Sequence, residues 1–202
     1  MTERRSREIA LFCTVAAIVA IAAALLGIAW GDDRTTSWQL AARYTARAAF
    51  PLFLTVFVAG PWRRLAPGPA PRWLVAHRRA LGLAFATMFT VHLAALTTYS
   101  LVRGEGPNTV TLVVGGGAFV TLYALVLTSN DAAVRRLGAR RWRRLHVFGL
   151  YYLWFVFTFS YVGRLANARD FFAVFALACV AALGVRIMGR RRRAPARVAA
   201  AA

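Results

Sequence analysis

Six apolar runs dominate the chain: Ile9–Trp30, Tyr44–Trp62, Ala80–Val102, Thr109–Thr128, Leu145–Val162 and Phe171–Met188. A bilayer core is crossed by about 20 apolar residues in a helix, with roughly 17–25 tolerated. Each run approaches or meets that length. Backbone polar groups find no water in lipid, so such runs predict helices rather than open strands. Between the runs the chain turns polar. Gly31 to Arg43 is expected to be the one outward-facing loop of any length. The segment holding Pro61, Pro67, Pro69 and Pro71 is expected to form a stiff turn. From Arg190 an Arg/Ala-rich stretch is expected to be a disordered tail. No internal repeat stands out. The pattern predicts an all-α membrane protein, a six-transmembrane-helix bundle with both termini cytoplasmic. Its parts are a short N-terminal segment (1–8), the membrane domain (9–188) and a basic cytoplasmic tail (189–202).

Composition sharpens this reading. Of 202 residues 59% are hydrophobic and 16% charged, more apolar surface than a soluble domain of this size hides. The formal net charge of +19 invites a nucleic-acid reading. The placement of the charge excludes it. All 26 basic residues are arginines, and 20 fall on one side of the predicted membrane. The other side holds six: Arg34, Arg43, Arg47, Arg103, Arg164 and Arg169. The alternation follows the positive-inside rule, and contact with anionic lipid headgroups is its expected secondary role. Trp30 and Trp38 at one boundary, with Trp62, Trp73 and Trp142 at the other, make the aromatic belts of a membrane protein. Trp154 is expected to pack within its span. The first run exceeds the apolar core of a secretory signal and lacks a cleavage site, so it reads as a retained helix. Cys13 and Cys179 lie in apolar helices far apart in sequence and form no metal motif. Gly115–Gly117 sits inside a span, so it is no phosphate loop; it is expected to let helices, or a flat cofactor, approach closely, with helix packing favoured.

The candidate chemistry rests on three histidines. His92 lies deep in the third span, and an ionisable residue there is a functional candidate by default. His77 and His146 stand beside arginines at the cytoplasmic ends of the third and fifth spans. No Asp, Glu or Lys occupies the middle of any span, which argues against a proton-coupled transporter. Neutral imidazole is a common axial ligand to haem iron. At ~1.5 Å of rise per residue, His92 stands roughly 22 Å above His77 if that stretch is helical. His77 and His146 share a depth and could clamp one haem. His92 and His146 are offset by roughly 15–20 Å, too far to share one at ordinary helix spacing. The level of His92 on the fifth span falls near Phe159 and Ser160, neither a good ligand.

Two stretches carry a family resemblance. Arg78-Arg79-Ala80-Leu81-Gly82-Leu83 followed by Val91-His92-Leu93 resembles the third helix of the ferric reductase-like transmembrane domain family. Leu137-Gly138, then Trp142, then Leu145-His146 and Tyr151-Tyr152-Leu153 resembles that family's entry into its fifth helix. Arg43-Tyr44-Thr45-Ala46-Arg47 and Gly60-Pro61 fit more loosely. More narrowly, the chain is similar to the haem-binding membrane subunits that serve periplasmic methionine sulfoxide reductases. The likeness covers the second to fifth spans.

The resemblance implies a cytochrome b-like module in the inner membrane of a bacterium. Electrons would arrive from a separate flavoprotein or quinol, pass through haem b and leave to an external acceptor. By position, His92 would be the outer-haem ligand and His146 the first ligand of the fifth span. The family's second histidine there falls on Phe159, which cannot ligate iron. His77 matches no family position but would pair with His146 by depth. Three states stay open: one inner haem, an additional five-coordinate outer haem, or a scaffold that has lost haem. Arg78, Arg79, Arg143 and Arg144 flank the inner histidines and would pair with propionates, or simply anchor the topology. Tyr99, on the face of His92, and Met88, one turn below it, are expected to pack.

Overall fold

The computed structural model describes residues 3–166 and 169–192, apart from the side chains of Arg169 and Asp170. The described chain is helical with short connections: α1 (Glu3–Ala29), α2 (Arg34–Leu65), α3 (Pro69–Ala76) and α4 (Arg78–Arg103) come first. A π-helical turn (Thr111–Gly115) then leads into α5 (Gly116–Leu127), followed by α6 (Asp131–Leu137), α7 (Ala139–Val162) and α8 (Arg169–Arg191). Four helices, α1, α4, α7 and α8, are long and apolar enough to cross a membrane. The π turn with α5 makes a fifth candidate, continued by α6 across a bend of 100°. The expected second span, Tyr44–Trp62 in α2, is not among these, since arginines and Pro51 dilute its apolar stretch. The tail expected at 189–202 begins as the last turn of α8, and residues 193–202 lie outside the described residues.

Two expected loops are helical instead. Only 30–33 separates α1 from α2, because Asp33 caps the second helix. Its Oδ1 accepts from the backbone N–H groups of Thr35 (2.7 Å) and Thr36 (3.1 Å), satisfying donors that a helix start leaves open. Thr36 Oγ1 donates to Oδ2 at 2.5 Å. The region Gly31 to Arg43 is therefore mostly the first turns of α2. In the proline-rich connection Pro69 opens α3, where a missing N–H costs nothing. At the far end of α5, Asn130 caps α6 through Ala133 N–H, and Gly138, at φ 74°, supplies the left-handed residue that ends it.

The packing is that of a membrane protein. Alanines make up much of the buried set, with Ala20, Ala41 and Ala49 fully enclosed. Leu11, Ile18, Leu25, Val120, Leu127 and Leu177 are exposed. Lipid tails reward no burial of Leu, so helices associate through small residues that let backbones approach. The structure divides into two compact units: one holds residues up to Phe53 with Arg79–Leu153, the other Leu54–Arg78 with the chain from Trp154. α2 and α7 contribute to both.

In the first unit α1, α2 and α4 meet around Ala41, Ala42 and Ala95. A Cβ at Gly27 would collide with the backbone of Leu40 and Ala41. Gln39 Nε2 donates to Tyr99 Oη at 3.1 Å, so the start of α2 lies beside the end of α4 and the two run antiparallel. Gly117 packs under the ring of Tyr152, whose hydroxyl donates to Val114 O at 3.2 Å. That carbonyl lies in the π turn, where the regular ladder slips by one residue. Of the glycine run, Gly117 serves this close approach, whereas a Cβ at Gly115 or Gly116 would meet nothing within 4 Å.

In the second unit three arginines tie the end of α8 to α2. Arg186 Nη1 donates to Phe57 O (2.8 Å), and its guanidinium lies 4.2 Å from the centre of the Phe57 ring. Arg64 Nε donates to Gly189 O (2.8 Å) and Arg192 Nη1 to Leu65 O (3.0 Å). The ends of α2 and α8 lie together, so these helices run in the same direction. Trp154 packs as expected, stacked on Phe57 with its indole N–H donating to Cys179 O at 3.0 Å.

Candidate functional site

Among the described residues no cluster of three or more His, Cys, Asp or Glu side chains gathers to hold a metal ion. The candidate site is therefore built from single histidines and their neighbours.

His92 is half-buried on α4. Its ring lies 5.0 Å from that of Phe89 and 6.3 Å from that of Phe119 on α5, and those two phenyl rings stack at 4.9 Å. From α2, Thr45 reaches across so that its Oγ1 stands 3.1 Å from His92 Nδ1. Thr45 is fully buried. The same hydroxyl contacts Ala41 O at 2.8 Å and Ala42 O at 3.0 Å. Carbonyl oxygens only accept, so either can take the single hydroxyl proton, which leaves a hydroxyl lone pair for His92 Nδ1. An imidazole with one ring nitrogen held by a neighbour has the arrangement of a metal-ligating histidine.

His146 sits two turns into α7, half-buried, where α5 ends. Thr128 Oγ1 lies 2.7 Å from Ala124 O, 3.3 Å from Leu125 O and 3.1 Å from His146 Nε2. Here the threonine hydroxyl, with two carbonyls able to take its proton, stands against the other ring nitrogen, Nε2. Trp142 fixes the ring: it lies 4.2 Å from the imidazole, and its indole N–H donates to Thr128 O at 2.8 Å. Beside this corner Arg79 pairs with Asp131 at 3.1 Å, tying α4 to α6. Arg79 Nε is buried without a hydrogen-bond partner among the described residues.

His77 belongs to the second unit, His146 to the first. It closes α3, and its Nδ1 lies 2.8 Å from Trp73 O, an acceptor, so the ring donates there and its lone pair is on Nε2. The ring stacks on Trp73 at 4.3 Å. Of the four expected propionate partners, Arg78, Arg143 and Arg144 are exposed, and Arg79 alone is half-buried. Tyr99 is engaged with Gln39, and Met88 is buried in the core. Phe159 is 49% exposed and stacks on Phe155 along the outside of α7.

Sequence reasoning missed Thr45, Thr128 and Phe119. A threonine among apolar residues is ordinary in a membrane helix, and only packing reveals its partner. Arg186, one of the 20 arginines assigned to the cytoplasmic side, lies within the run Phe171–Met188 and is buried against Phe57.

No family model and no solved structure matches the chain. Curated relatives do. The protein-methionine-sulfoxide reductase heme-binding subunit MsrQ of Cronobacter sakazakii is 35% identical over 128 residues, 56% of this chain and 62% of that protein. The MsrQ of Ralstonia nicotianae is 32% identical over 166 residues, 74% of this chain and 70% of that protein. For the MsrQ of Azospira oryzae the figures are 33% over 152 residues, 70% and 61%. The chain thus spans 62% and 61% of the Cronobacter and Azospira proteins. On identity above 30% across 70% of the Ralstonia protein, this chain belongs to the family of protein-methionine-sulfoxide reductase heme-binding subunits, MsrQ.

Proposed function

We propose that this chain is a membrane haem b protein of the bacterial inner membrane. It carries electrons from a cytoplasmic-side flavoprotein or quinol to an external acceptor, which the relatives' name points to as a methionine sulfoxide reductase. The setting of His92 is the observation that carries this reading: an imidazole inside a membrane bundle with Nδ1 held 3.1 Å from the buried Thr45 hydroxyl. The donor set fits a haem. Phe89 and Phe119 supply apolar walls, and the orphaned Arg79 Nε suits a carboxylate near the His146 corner. Haem iron, when bound, supplies one-electron transfer. The chain supplies its ligands and the exclusion of water by the apolar bundle.

In this reading His92 ligates an outer haem and His146 an inner one, with Arg79, Arg143 and Arg144 toward its propionates. His146 would reach iron through Nε2 only by leaving Thr128. The topology has six spans, counting α2, with both ends of the bundle's chain cytoplasmic. Support comes from the 20 arginines against six and from helix directions within each unit: α2 is antiparallel to α4 and parallel to α8.

The test is a reduced-minus-oxidised visible spectrum of the detergent-purified protein, with haem counted per chain. A b-type α band that loses one haem equivalent in His92→Ala supports the reading. A colourless protein from haem-replete cells would overturn it and favour a cofactor-free scaffold. Phe159, where the family's second fifth-span histidine falls, is the residue that keeps that second reading in view.

A further inference from the structure

We propose that Thr45 is a positioning residue for electron transfer, fixing His92 in the tautomer that offers Nε2 to iron and strengthening it as a ligand. This rests on the haem reading above. Three contacts crowd one buried oxygen, two of them to carbonyls that can take its proton, which leaves a lone pair for Nδ1–H of His92. An isolated imidazole exchanges its proton between two nitrogens; one whose Nδ1–H is held by a buried acceptor does not. Donation from Nδ1 also raises electron density on Nε2, which binds ferric iron more tightly and favours the oxidised state. Thr128 provides the internal contrast, because the same residue type placed against Nε2 of His146 selects the other tautomer. Two threonines therefore sort the two histidines of this unit. One is ready for iron; the other is held away from it.

The experiment has two arms. The first uses the haem-free protein labelled with 15N-histidine, its signals assigned by loss in His92→Gln. The expected result is a proton on Nδ1 and a bare Nε2 for His92, and the reverse for His146. A proton on Nε2 of His92 would overturn the proposal, whatever the protein does with haem. The second arm compares Thr45→Val and Thr45→Ser after haem reconstitution, with midpoint potentials read optically. Thr45→Val is expected to lower haem affinity at the His92 site about tenfold, the lower end of the range for outer-shell partners. It should also shift the remaining haem toward ferrous at a fixed potential. Thr45→Ser keeps the hydroxyl and should restore both readouts. If His92→Ala sheds a haem equivalent but Thr45→Val leaves affinity and potential unchanged, the Thr45 proposal fails alone. If His92→Ala keeps every haem, the haem reading fails, and the tautomer arm still decides the hydrogen bond. Should Thr45→Val not fold, Thr45→Ser with unequal affinity or potential overturns the proposal.

Discussion

Thr128→Val removes the hydroxyl that holds His146 Nε2 while keeping the side chain's shape. In the folded protein that hydroxyl stands within hydrogen-bonding distance of the imidazole, 3.1 Å from Nε2. Side-chain hydrogen bonds between membrane helices contribute about 0.6 kcal/mol on average, and typical net values in proteins centre near 1 kcal/mol. If His146 must leave Thr128 before binding iron through Nε2, that energy is subtracted from haem affinity in the wild-type protein. Its removal should then tighten binding at the His146 site by about three- to fivefold. The Trp142 indole bond to Thr128 O runs to the backbone and survives the substitution, so the ring stays stacked. The assay is a Soret titration of the haem-free protein, with His92→Ala in the background so that one site is read. A fall in affinity would refute the reasoning. It would mean that His146 ligates through Nδ1 and that Thr128 supports the ligand from behind.

Other substitutions test the packing and the charges. Gly27→Ala drives a methyl into the backbone of α2, which cannot yield as a side chain would, and should cost about 1–3 kcal/mol in detergent unfolding. Gly82→Ala, where a Cβ meets nothing within 4 Å, should be neutral or slightly stabilising in the same assay. Arg186→Ala removes a buried charged donor from Phe57 O and should cost about 1.5–3 kcal/mol; unchanged thermal unfolding would show that this clamp is not needed. Asp33 gives a pH signature. The Thr36 hydroxyl, then the N–H groups of Thr36 and Thr35, hold its carboxyl below its ordinary value. A lowered folded-state pKa means stability that is present above the ordinary carboxylate value of about 4 and lost as pH falls through the lowered one. Unfolding midpoints of wild type and Asp33→Ala should therefore converge in acid; a gap unchanged down to the acid end would remove the cap from the explanation.

The class of this protein was legible from its residues because lipid imposes a one-dimensional rule. Apolar runs of bilayer length and arginines on alternate sides leave few folds open, and Arg78–Arg79 followed by His92 carried the family. Helix ends were less legible. Asp33 turns an apparent loop into the first turns of α2, and the π turn before α5 is invisible in a hydropathy pattern. The state of each histidine was not legible at all. Nothing near His92 or His146 in sequence says which nitrogen carries the proton, because the partners are 47 and 18 residues away. The same holds for Arg186, which counts as one more cytoplasmic-side arginine until α8 packs it on Phe57. Hydropathy adds along the chain, residue by residue, and so survives in the sequence. A hydrogen bond's direction depends on what else touches the same oxygen, and only the packed helices decide that.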